Sequence, residues 1–85
     1  MITAKMSKKD IDFIVKDIMM YKLGLEEAQL QDPVNLQDDL GVDSLDLIEL
    51  QMEIERKFEI KITDEEAERL NTVQSILRCV QHKME

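Results

Sequence analysis

Residues 44–58, SLDLIELQMEIERKF, carry their apolar side chains in two separate helical stripes. At about 100° per residue, Leu47, Leu50, Ile54 and Phe58 share one face. Leu45, Ile48 and Met52 form a second stripe well away from the first, edged by Asp46, Glu49 and Glu53. One stripe suffices to seat a helix against its neighbours; a second is surplus in a small domain and marks surface meant for something else. The first stripe is therefore predicted to be core. The second, Met52 included, is predicted to be an exposed strip rimmed by carboxylates.

The remaining segments read as helices too. Two Gly, one Pro and no Trp in 85 residues leave few tight turns, which disfavours a β-sandwich. A first helix starts at Ser7, with Asp10 three residues on as a short-armed capping box. Ile11, Ile14, Val15 and Ile18 recur at helical spacing, with Met19 and Met20 as filler, until Leu23 and Gly24 end the pattern. Residues 25–41 hold no period. With Pro33, Asn35 and the Asp38-Asp39 pair they read as a long ordered loop pinned by Leu30, Val34, Leu36 and Leu40, and that length points to function. Thr63 with Glu66 is a capping box for a short third helix over 64–70. Asn71 or Thr72 caps a fourth, with Val73, Ile76, Leu77 and Val80 facing inward. The expected fold is all-α: a four-helix bundle of three longer helices and one short one, with a long loop between helices one and two, in a single domain over residues 1–85.

Charge is uneven along this chain. Nineteen acids against eleven Lys and Arg give a net charge of −8. Residues 1–36 contribute −1, residues 37–68 contribute −9 and residues 69–85 contribute +2. A charge run is ordinarily a solvated face, but here it coincides with the surplus apolar strip. Such a field repels nucleic acid and anionic membranes and steers basic protein surfaces. No apolar run reaches the roughly 18–20 residues of a membrane span, and Asp10, Asp12 and Asp17 interrupt any signal-peptide-like core. A lone Cys79 forms no internal disulfide, which fits a cytoplasmic location, and reads as a half-buried small hydrophobe. One His and one Cys cannot make a zinc site, and Asp38, Asp39 and Asp43 lack the spacing of a calcium loop. No base–nucleophile pair is visible, so no catalytic or metal-binding residue is expected.

Gly41-Val42-Asp43-Ser44-Leu45-Asp46 is the stretch where chemistry concentrates. Ser44 fits an ordinary N-cap, with Asp43 favouring the helix dipole. A covalent phosphate on the same hydroxyl would lie at the positive end of the helix, where anions are stabilised.

Asp43-Ser44-Leu45 resembles the attachment motif of acyl carrier proteins. The likeness continues through Asp39-Leu40-Gly41-Val42 before it and Glu49-Leu50, Met52, Glu55 and Phe58 after it. It extends further to Ile62, Asp64-Glu65-Glu66-Ala67-Glu68 and Thr72-Val73, covering roughly 36–80, with a weaker helical correspondence over 7–23. The resemblance implies that Ser44 carries a phosphopantetheine arm, flanked by Asp43 and Leu45, with Asp43 supporting recognition by a phosphopantetheinyl transferase. It implies docking of basic surfaces of acyl-pathway enzymes (synthases, reductases, acyltransferases) on Leu45, Asp46, Ile48, Glu49, Met52 and Glu53. It also implies a monomeric, non-enzymatic carrier, in fatty acid biosynthesis first and otherwise for polyketide, lipid or aminoacyl cargo. An acidic helical interaction module without an arm is the reading left if Ser44 is only a cap. Arg56 and Lys57 stand where many fatty-acid carriers have acids, and Leu36 where an aromatic is common.

Overall fold

The structure is a computed structural model that describes residues 6–31 and 34–85. Helix α1 spans Lys8–Leu23. Ser7 is its N-cap: Ser7 Oγ accepts the Asp10 N–H at 3.1 Å, while Asp10 Oδ2 accepts the Ser7 N–H at 3.3 Å. Gly24 ends the helix at φ 67°, a left-handed conformation that costs glycine nothing, and its N–H donates to the Met20 carbonyl. Ile11, Val15 and Met19 are buried, and Met20 packs partly against the core.

In its described residues the long loop is pinned as expected, with Leu30 and Leu36 buried and Val34 and Leu40 packed against the core. It holds a 3₁₀ turn, Glu27–Gln29. Pro33 lies outside the described residues. The loop is also fastened to the start of the last helix. The Leu36 N–H donates to the Asn71 carbonyl at 2.8 Å and the Val73 N–H to the Val34 carbonyl at 3.1 Å, around an antiparallel bridge between Asn35 and Thr72. A pairing this short leaves no alternation in the sequence to announce it.

Helix α2, Ser44–Phe58, buries Leu47, Leu50, Ile54 and Phe58 as its inner stripe. Leu45, Ile48 and Met52 stand 63%, 50% and 52% exposed. The α2 N-cap is Asp43, not Ser44: Asp43 is extended (φ −71°, ψ 152°) and its carbonyl accepts the Leu47 N–H, so Ser44 is already the first helical residue. Helix α3 covers Asp64–Ala67 and stops short of residue 70. Beyond it, the Arg69 and Leu70 N–H groups donate to the Glu66 and Ala67 carbonyls, three residues back. This tighter winding turns Leu70 into the core. Helix α4, Val73–Lys83, is capped by Thr72 and buries Val73, Ile76, Leu77 and Val80. Among the described residues the architecture is thus the expected bundle, with α1 packed on both α2 and α4. Gln81 Nε2 adds a polar tie from α4 to Asp12 Oδ1 at 2.7 Å.

Candidate functional site

The turn before α2 is braced by its own side chains. Asn35 Oδ1 accepts the N–H groups of Gln37 at 3.0 Å and Asp38 at 2.9 Å. Asp39 Oδ2 accepts the Asn35 N–H at 2.8 Å, so that carboxylate is occupied within the turn. The Gly41 N–H donates to the Gln37 carbonyl, and the Val42 N–H to the Leu36 carbonyl. Gly41 sits at φ 69°, which lets the chain reverse without strain, and Val42 is buried as the anchor.

This bracing delivers Ser44 to the first position of α2 with its side chain exposed. Its Oγ accepts a hydrogen bond from Gln37 Nε2 at 3.1 Å. The Asp43 side chain makes no capping hydrogen bond. The backbone N–H groups of the first turn therefore lack a capping side-chain acceptor, while the Asp43 and Asp46 carboxylates flank the positive end of the helix dipole. Placing Asp43 at the cap leaves the Ser44 hydroxyl free of capping duty.

A cavity of about 370 Å³ opens beside Ser44, bounded by Gln37, Leu47, Ile48, Gln51, Glu68 and Asn71. A second, of about 440 Å³, shares Ile48, Gln51, Ala67 and Glu68 with it and reaches Met52 and Ile62. Together they form a groove along the α2–α3 side, starting at the serine, with apolar contributions from Leu47, Ile48, Met52 and Ile62 and polar edges that include the carboxylates Glu55, Asp64 and Glu68. A flexible chain attached at Ser44 has this groove beside it, while an anionic group there would have the Asp43 and Asp46 carboxylates as neighbours.

The outward strip of α2 brings Leu45, Ile48 and Met52 together with exposed Asp46 and Glu49. Glu53 differs. It is part-buried, and its Oε1 lies 2.9 Å from Arg56 Nη1. A shallow hollow there is lined by Lys22 of α1 with Glu49, Met52, Glu53 and Arg56. The strip is thus acidic at its Ser44 end and charge-balanced at the other. Sequence reasoning missed Lys22, because only helix packing brings α1 beside α2. It also missed Gln37, whose role depends on the fold of the turn, and the exposed aromatics Phe13 and Tyr21 on the outer face of α1. Spacing on the α1 wheel would have found that pair.

Cys79 is half-buried beside a hollow of about 550 Å³ that also contains Arg69, Arg78 and His82. Desolvation, and then the Glu66 carboxylate, push its thiol above the ordinary value, so it is a poor nucleophile at neutral pH.

Comparison with known proteins agrees with this geometry. The family described as "Phosphopantetheine attachment site" matches residues 14–80. The acyl carrier protein of Buchnera aphidicola subsp. Acyrthosiphon pisum (strain 5A) is 43% identical over 75 residues, covering 88% of this chain and 94% of that one. That of Thermotoga maritima is 40% identical over 78 residues, covering 92% and 96%. The solved acyl carrier protein of Enterococcus faecalis superposes with a TM-score of 0.78 at 29% identity, covering 92% of this chain and 99% of that one. A solution structure from Anaplasma phagocytophilum gives a TM-score of 0.84 at 32% identity, covering 98% of each chain. A braced serine at the uncapped start of a doubly striped helix, in a bundle of this shape and with relatives of this kind, places the chain in the acyl carrier protein family.

Proposed function

We propose that Ser44 is the residue that bears the phosphopantetheine arm and that Leu45, Asp46, Ile48, Glu49, Met52 and Glu53 form the surface on which partner enzymes dock. As a member of its family the protein carries acyl groups on phosphopantetheine. The arm supplies a terminal thiol that holds the acyl group as a thioester. The protein's own residues supply the rest. Asp43 ends the turn and leaves the first-turn N–H groups of α2 facing the phosphate. Leu45 begins the apolar strip one residue from the attachment point, so a docked partner receives the arm at the edge of its contact. The exposed Ser44 Oγ at an uncapped helix start is the observation that carries this reading.

The whole of residues 1–85 acts as one carrier domain in fatty acid biosynthesis, monomeric and cytoplasmic, and catalyses nothing itself. Its partners are a phosphopantetheinyl transferase and the basic faces of acyl-pathway enzymes. Tethering raises the local concentration of the thioester at each of them. The Glu53–Arg56 pair supports a second reading within the same class. A strip charge-balanced at one end favours a different set of partner surfaces, as a dedicated carrier of polyketide, lipid or aminoacyl cargo would need.

Co-expression with a phosphopantetheinyl transferase, followed by intact-mass measurement, is expected to show one arm added to the wild-type chain and none to Ser44→Ala. An arm on Ser44→Ala would defeat the assignment. The mass of the cargo on protein purified from its native cell separates the two readings.

A further inference from the structure

We infer that Gln37 is a positioning residue for arm attachment: its carboxamide holds the Ser44 hydroxyl in attacking orientation and then passes its hydrogen bond to the phosphate. This rests on Ser44 being the attachment point. Gln37 Nε2 lies 3.1 Å from Ser44 Oγ. The residue delivering that amide is fixed on both sides of its Cα, through its N–H to Asn35 Oδ1 at 3.0 Å and its carbonyl to the Gly41 N–H at 3.1 Å. Asn35 is itself held by Asp39 Oδ2 and by the pairing of the loop with residues 71–73. An exposed glutamine side chain on a freely moving loop would give up rotamer entropy to make one such bond. Here the turn already fixes the Gln37 backbone, so only its side-chain torsions remain to be ordered.

The chemistry favours a donor at this point. A phosphopantetheine-bearing pyrophosphate such as coenzyme A is the co-reactant. The Ser44 Oγ–phosphorus bond forms and the pyrophosphate P–O bond breaks. The hydroxyl proton leaves to a base of the transferase, and the adenosine bisphosphate half departs. A donor on Oγ occupies one lone pair, leaves the O–H free to be taken by the base, and stabilises charge developing on the oxygen. Once esterified, Oγ is a weak acceptor. A non-bridging phosphate oxygen bears the negative charge, and the Nε2–H bond to it is charge-assisted and stronger. Gln37 also borders the cavity that starts at Ser44, so the same bond turns the phosphate toward the α2–α3 groove. Gln37 is not part of the docking strip, although Ile48 of that strip borders the same cavity, so loss of Gln37 is expected to show in kcat rather than in KM.

The test compares wild type with Gln37→Met, Gln37→Glu and Gln37→Lys, loading each apo protein with one purified transferase and coenzyme A. From the worth of one neutral hydrogen bond, Gln37→Met is expected to lower kcat about three- to tenfold with KM unchanged. Gln37→Glu, an acceptor only, is expected to be slower still, and Gln37→Lys, a donor only, to retain most of the rate. Independently of rate, the ³¹P resonance of the loaded protein is expected to shift in Gln37→Met, and the Gln37 side-chain NH₂ signals to move when wild type is loaded. Wild-type kcat in Gln37→Met, or identical ³¹P positions, overturns the inference while leaving Ser44 as the attachment point. Failure of wild type itself to load overturns the attachment assignment instead.

Discussion

Lys83, at the end of α4, lies with its Nζ 2.9 Å from Oε1 of Glu66 in the short α3. The same Glu66 oxygen accepts the Thr63 N–H at 2.9 Å as the far half of the α3 capping box. The hydrogen bond from the Thr63 backbone first, and that from Lys83 second, hold the carboxyl below the ordinary value. A carboxyl with a depressed folded pKa stabilises the protein at pH above its unfolded value, and that contribution fades as pH falls through the folded one. Glu66→Gln keeps an acceptor for the cap and removes the charge. Its melting temperature is expected to fall below wild type at pH 7, with the gap closing below about pH 4, near the ordinary Glu value. A gap that stays constant on acidification would sink the account.

Glu59 ends α2 at φ 55°, with both its own N–H and that of Ile60 donated to the Glu55 carbonyl. A side chain in this left-handed region costs about 1–2 kcal/mol, which glycine escapes, partly offset by the entropy glycine loses on folding. Glu59→Gly is expected to stabilise the fold by about 0.5–1 kcal/mol in urea melts, with the m-value unchanged.

Arg56 neutralises Glu53 at the far end of the docking strip. With Arg56 exposed and Glu53 only part-buried, the pair is worth little in stability, about 0–1 kcal/mol. Arg56→Glu does more than remove the pair: it sets a second acid three residues from Glu53 at the C-terminal end of α2, so it is expected to lower the melting temperature modestly at low salt. It is also expected to raise kcat/KM for loading by a basic-faced transferase at low salt, an advantage that vanishes at about 0.5 M salt, where the Debye length is only a few ångströms. Loading that slows on this reversal would show that the partner presents a carboxylate to Arg56.

Residues 37–68 hold nine net negative charges, and only Glu53 and Glu66 among their carboxylates have a cation within 4 Å among the described residues. The self-repulsion is relieved by screening. Raising NaCl from about 0.01 to 0.5 M, or adding Mg²⁺, is expected to raise the melting temperature of the apo protein. Insensitivity to both would contradict this picture of an unbalanced acidic face.

Where burial and helical period coincide, the sequence was readable residue by residue. The α2 inner stripe, the outer strip and the inward face of α4 all lie where spacing alone put them, because burying apolar area decides those faces. Caps were readable at Ser7 and Thr63, where an acid three residues on completes the box; for α4 the sequence left Asn71 and Thr72 open, and Thr72 caps it with Ser75. Ser44 failed as a cap because Asp43, an equally good capping type, took the extended conformation one residue earlier. What spacing could not show are meetings between distant segments: Lys22 beside Glu53, Gln37 over Ser44, and the bridge of Asn35 with Thr72. Each depends on how helices pack or how a turn closes, and neither leaves a period in the chain.

That last bridge has a consequence for how the molecule comes apart. No residue of α4 lines the cavity beside Ser44, yet the turn that presents the serine hangs from backbone bonds to residues 71–73. Unwinding the first turn of α4 would therefore also release the turn that presents the serine. The seating of α4 and the presentation of the serine are thus coupled, and the C-terminal helix is the remote guarantor of a site whose cavity it does not line.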